Sequence, residues 1–144
     1  MMRSKRSLLL LVLATAFVFS CAGSKNTVGG GLWSTLGGVT GVSALSSNFA
    51  RNLAADAVAT QALGSSGIDA AKKGLYNSIA KAGGYGPEKG TDLLSVLKSK
   101  KLDAPAVNAV GASLTKAGTD SGLKADQMTA LKGLWDPMAM TLSK

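Results

Sequence analysis

Apolar residues recur at spacings of three and four along most of this chain, the period of a helix with one buried face. Val42, Leu45, Phe49, Leu53 and Ala57 make one such stripe and predict a helix from about Ala44 to Ala62, closed by Gly64-Ser65-Ser66-Gly67. Ile68, Ala71, Leu75, Ile79 and Ala82 make a second, stopped by Gly83-Gly84, with Pro87 in the loop beyond. A third helix starts near Thr91 or Asp92, carries Leu93, Leu94, Val96 and Leu97, and ends in Lys98, Lys100 and Lys101, cations suited to the negative end of a helix. The fourth opens at Asp103 with Pro105 in its first turn and turns Val107, Val110, Leu114 and Ala117 inward. The fifth runs from about Lys124 to Trp135 with Met128, Leu131, Leu134 and Trp135 inward, and Pro137 interrupts it. No stretch alternates apolar and polar residues for long enough to suggest a strand. The expected fold is all-α, a small five-helix bundle over residues 44–144.

Within that bundle three segments recur in order. Ile68-Asp69-Ala70 returns as Leu102-Asp103-Ala104, Ser78-Ile79-Ala80-Lys81-Ala82-Gly83 as Ser113-Leu114-Thr115-Lys116-Ala117-Gly118, and Asp92 to Lys98 as Asp126 to Lys132. Offsets of 34, 35 and 34 residues suggest two tandem αα-hairpins, about 68–101 and 102–135. The period is near that of tetratricopeptide units, but the signature aromatic and glycine positions of that family are missing, and solenoids need three or more copies.

The amino terminus follows a different pattern. Arg3, Lys5 and Arg6 precede an apolar run from Leu8 to Phe19, and Ser20 then sits directly before Cys21, the only cysteine. The run is too short for a spanning helix, which takes about 20 apolar residues. The junction resembles a bacterial lipoprotein lipobox. That resemblance implies cleavage between Ser20 and Cys21, a diacylglycerol on the Cys21 sulfur and acylation of the new amino terminus, so that residues 1–20 are a signal peptide and the membrane is reached through lipid. Ala22 and Gly23, in place of an aspartate after the cysteine, favour the outer membrane on the same resemblance. Residues 21–43, with Gly29-Gly30-Gly31, Gly37-Gly38 and Gly41, read as a flexible tether reaching roughly 25 Å. Trp33 and Leu36 interrupt it, and either sit in the bilayer interface or dock on the domain.

Charge changes this picture little. The net charge of +8 falls to +5 once Arg3, Lys5 and Arg6 leave with the leader, and 124 residues remain, enough for one modest core. A mildly basic exported protein meets polyanionic envelope polymer rather than nucleic acid. Composition bears harder on catalysis. The chain has no histidine, which removes serine–histidine and cysteine–histidine nucleophiles and imidazole metal ligands. One glutamate, Glu88, and seven aspartates remain for a two-carboxylate glycosidase. Asp69, Asp92, Asp103 and Asp126 are already expected at helix starts. No cofactor or metal site is expected.

Two sets of residues suit recognition. Lys72 and Lys73 with Lys98, Lys100 and Lys101 would form a cationic patch if those helix ends adjoin, and Tyr85 would be a contact residue on its loop. Tyr76 and Trp135 are aromatics of the kind that anchor interfaces. The expectation is a lipid-anchored, non-catalytic binding or accessory module for an envelope protein or polymer. The alternatives are a small cell-wall hydrolase and a structural lipoprotein with no discrete partner site.

Overall fold

The computed structural model describes residues 30–85 and 91–144. The expected leader, Ser20, Cys21, the expected tether up to residue 29, Pro87 and Glu88 lie outside the described residues.

Among the described residues the chain is all-α, with six helices and no strand: α1 (Gly30–Thr35), α2 (Val39–Ala55), α3 (Ala57–Ala82), α4 (Leu93–Ser99), α5 (Ala104–Asp120) and α6 (Ala125–Leu142). The expected stripes form the core. Val42, Leu45, Phe49 and Leu53 of α2 are fully buried against α3 and α5, and Leu75, Ile79, Leu93, Leu97, Val110 and Leu114 complete the same cluster. α4 packs on α3, α6 packs on α5, and α1 closes one side against α3 and α6.

Capping explains most of the boundaries. Asp92 and Asp103 accept the N–H groups of Ser95 (2.9 Å) and Ala106 (3.0 Å), satisfying donors that have no intrahelical partner. At the end of α3, Gly84 (φ 78°) lets the Tyr85 N–H reach the Ala80 carbonyl at 2.8 Å, a left-handed helix stop.

Four expectations change. The helix expected over 44–62 breaks at Asp56, whose extended backbone ends α2 while its carboxylate accepts from Ala59 N–H (2.9 Å) to start α3; Ala57, just past the break, is exposed. Gly64-Ser65-Ser66-Gly67 is a kink rather than a loop: Gly64 alone leaves helical geometry (φ 71°, ψ 171°) and α3 resumes beyond it, so Asp69 lies inside a helix instead of capping one. Ala82, expected inward, is exposed on the last turn of α3. α6 passes through Pro137 to Leu142; the proline leaves the Gly133 carbonyl without its helical donor, but Met138, buried on the core side, holds the last turns in place.

The segment expected to be tether also folds from residue 30. Leu32 of α1 is fully buried, and Trp33 and Leu36 pack against the core. The glycines here serve a tight α1–α2 turn, because Gly38 adopts φ 72° and a Cβ on Gly41 would collide with the Leu36 carbonyl.

The matched repeat segments take different positions. Asp69 is interior to α3 whereas Asp103 caps α5, and Gly83 caps α3 whereas Gly118 is buried within α5.

At the α3–α4 contact two helix backbones approach closely. A Cβ on Gly74 would stand 2.9 Å from Leu93 Cα and 3.1 Å from Leu93 N. Beside it, Ser78 Oγ accepts the Leu93 N–H (2.9 Å), and Asn77 Nδ2 donates to the Thr91 carbonyl (3.2 Å). Gly74→Ala therefore forces two backbones apart, and the better helix propensity of alanine recovers only part of the loss. Denaturant unfolding should show a destabilisation of about 1–2 kcal/mol with an unchanged m-value.

Acid sensitivity follows from two carboxyls. Accepting the Ser95 N–H lowers the Asp92 pKa below its ordinary value, and the Lys116 ammonium, then the Asn52 amide, lower that of Asp120. Such groups contribute stability that is complete above the unfolded aspartate value of about 3.9 and is lost as pH falls through the lower folded value. Unfolding followed from pH 6 downward should be flat to about pH 4 and then decline, and the decline should be shallower in Asp92→Asn and Asp120→Asn.

Candidate functional site

Of the five lysines expected to form one patch, the structure brings together Lys72 and Lys73 and sets the other three apart. α4 runs antiparallel to α3, so its carboxyl end lies over Gly67, where a Cβ would meet Lys100 Cε at 3.0 Å. Lys100 is thus laid on the α3 backbone. Lys101 takes a left-handed conformation (φ 51°) that ends the helix, and Lys98 and Lys101 face solvent. Lys72 and Lys73 are turned about 140° and 240° around α3 from Gly67, at about 100° per residue. They therefore leave α4 behind and line a groove between α3 and α2.

That groove has a volume of about 280 Å³ and is lined by Ser43, Ser46 and Ser47 from α2 and by Lys72, Lys73, Tyr76 and Asn77 from α3. The three serines follow the spacing of the apolar stripe, one flank over. Ser46 is only 2% exposed, and its Oγ has no hydrogen-bond partner. Buried hydroxyls nearly always have one. Lys73 Nζ is 3.4 Å from Asp69 Oδ2 in an exposed pair, a geometry worth little in water. Lys72 is half-buried and has no such carboxylate among the ion pairs of the described residues.

Tyr76 is held at the end of the groove by an aromatic stack. The Trp33 ring of α1 meets it edge-on at 5.8 Å (80°) and lies nearly parallel to Tyr85 at 5.4 Å (17°). Tyr85 is 62% exposed, so the residue expected as a loop contact is the outer face of a stack whose inner member borders the groove. Trp135, the other aromatic expected as an anchor, lies on α6 against Gly111 of α5.

A larger groove of about 440 Å³ runs between α5 and α6 beside Trp135, Met128 and Leu131. It is lined by one carboxylate, Asp136, which pairs with Lys132 at 3.6 Å. The other aspartates have local work. Asp56, Asp92 and Asp103 cap helices, Asp126 accepts the Gln127 N–H (3.0 Å), Asp69 pairs with Lys73, and Asp120 with Lys116 (3.0 Å) and Asn52 (3.2 Å). Among the described residues no group of three or more His, Cys, Asp or Glu converges as a metal site. No helix there is long and apolar enough to cross a membrane.

No family model, curated protein or solved structure matches this chain.

The serines were not expected as site residues. Their i, i+3, i+4 spacing at 43, 46 and 47 was the available signal, a polar stripe beside the apolar one on α2. The orphaned hydroxyl costs the fold stability, since no group of the fold pairs with it. Ser46→Ala should accordingly raise the unfolding free energy by about 1 kcal/mol, measured by thermal or urea denaturation.

Proposed function

We propose that this protein is a lipid-anchored, non-catalytic binding module of a bacterial envelope, held through Cys21 and engaging an envelope component through the α2/α3 groove. The observation that carries the reading is the junction of Leu8–Phe19, Ser20 and Cys21, which resembles a lipobox. Support for binding rather than turnover comes from the groove, where lysines and hydroxyls converge with no carboxylate among the lining residues. Among the described residues all seven aspartates are engaged in caps, local hydrogen bonds or lysine pairs, rather than held as a free couple across a cleft of the kind a glycosidase uses. On the same resemblance the anchor lies in the outer membrane, and α1 begins nine residues beyond Cys21, so the bundle sits close to the bilayer.

Lipidation is read directly by mass. Native protein should begin at Cys21 and carry the added mass of its acyl chains, and Cys21→Ser should lack that mass and leave the detergent-extracted membrane fraction. An intact amino terminus with a free thiol would overturn the anchor and the compartment together. Crosslinking in intact cells should then recover one reproducible partner.

A further inference from the structure

We infer that the α2/α3 groove is a site for a phosphorylated sugar unit, with the phosphate between Lys72 and Lys73 and the sugar hydroxyls on Ser43, Ser46, Ser47 and Asn77. The inference names the ligand of the binding role proposed above and rests on that role for where the ligand comes from, not for the chemistry of the groove.

Four observations converge. Ser46 is among the residues lining the groove and its Oγ finds no partner within the fold, so a small rotation of the side chain toward the groove lets a ligand hydroxyl supply the missing hydrogen bond. Lysine is a compact, rotatable donor that serves phosphate as a point charge, and a phosphate ester of −1.5 to −2 matches two ammonium groups. One of the two, Lys73, is held only by an exposed pair with Asp69, so an anion of higher charge displaces the carboxylate at little loss. The volume of about 280 Å³ is at the lower end of small-molecule pockets, enough for one sugar phosphate and too small for an extended chain.

Tyr76 adds the apolar wall. Its ring is fixed edge-on by Trp33 and borders the groove, so it offers a preorganised aromatic surface to the C–H face of a sugar. Inorganic phosphate alone leaves Ser46 and Tyr76 unused, and an uncharged sugar leaves the lysines unused. The groove therefore distinguishes the ester from either of its halves.

The test is calorimetric titration of the purified full-length protein with glucose 6-phosphate, inorganic phosphate and glucose as separate probes. Glucose 6-phosphate should bind at least about tenfold more tightly than phosphate or glucose. Ser46→Ala and Lys72→Gln should each weaken it about tenfold, the loss of one hydrogen bond to a charged or buried partner. Ser46→Ala is expected to be more stable than the native protein, so weaker binding in that variant is not a folding defect. Lys101→Gln, at the end of α4, should change nothing. Equal binding of phosphate and glucose 6-phosphate, an unchanged affinity in Ser46→Ala, or an equal loss in Lys101→Gln would each overturn the site in favour of diffuse attraction to a basic surface. Repeating the titration on Cys21→Ser separates this inference from the anchor: binding that survives the loss of lipid leaves the groove standing, and an anchored protein that ignores glucose 6-phosphate loses the groove alone.

Discussion

The bundle is organised by the burial of one helix on two sides. α2 presents Val42, Leu45, Phe49 and Leu53 at zero exposure, and to bury a stripe this wide it must be clasped by α3 and α5 together. What stands on the two flanks of the stripe then decides what those interfaces become. Toward α5 the flank carries Asn48 and Asn52, long enough to cross the gap: Asn48 Nδ2 donates to Ser121 Oγ (2.8 Å), and Asn52 Nδ2 to the Ser113 carbonyl (3.3 Å) and to Asp120. Toward α3 the flank carries Ser43, Ser46 and Ser47, whose side chains are too short to bridge. One interface closes with polar ties, and the other stays open as a groove with an unanswered hydroxyl on one of its lining residues.

Small residues set the remaining distances. Gly74 admits the backbone of α4, Gly111 receives the Trp135 ring, and Gly118 receives Met128 and Leu131. At Gly74 a methyl group would meet backbone and push two helices apart, at Gly111 and Gly118 it would displace the side chains seated there, and each lies inside a helix, where glycine is unfavourable by about 1 kcal/mol relative to alanine. Close approach repays that loss through backbone-level contact and, at Gly74, through the buried Ser78–Leu93 hydrogen bond beside it. The aromatic stack follows the same logic at the carboxyl end of α3, where Gly83 leaves room for Trp33 and Tyr85 to meet.

Those glycines explain what could and could not be read from the chain. Strong periodicity with an acidic cap, as at Asp92–Leu97 and Asp103–Ala117, translates directly into α4 and α5 because capping and burial agree. Where local and tertiary signals diverge, the sequence misleads. Gly37, Gly38 and Gly41 carry the composition of a flexible linker, yet the burial of Leu32 turns them into a tight corner. Asp56 sits between two alanine-rich stretches with no glycine or proline to mark a break, so the division of α2 from α3 is visible only once the cap is seen to form. Pro137 carries a local stop that the burial of Met138 overrides. The five lysines shared a sign and a position near helix ends, but sequence spacing does not carry the rotation between Gly67 and Lys72, and it is that rotation which splits them. The groove was the least legible feature, since it arises from what three serines fail to reach.

A site of this kind is weak by construction, and its weakness bears on the proposed anchor. Lys73 and its Asp69 partner are exposed, the cavity is small, and a single sugar phosphate offers few atoms over which binding energy can accumulate. Free in solution, such a site would be occupied only at high ligand concentration. Confinement beside a surface that displays many copies of the ligand changes the balance without altering a single contact, because after the first encounter each later one is effectively intramolecular. On the proposed anchor and ligand, fast exchange on a small groove and permanent retention near the surface would be complementary: the lipid would keep the module in place, and a modest affinity would let it move from one ligand to the next. The Ser46 hydroxyl, answered only by a seated ligand, adds to that affinity and to its selectivity, while the small contact area keeps the total modest.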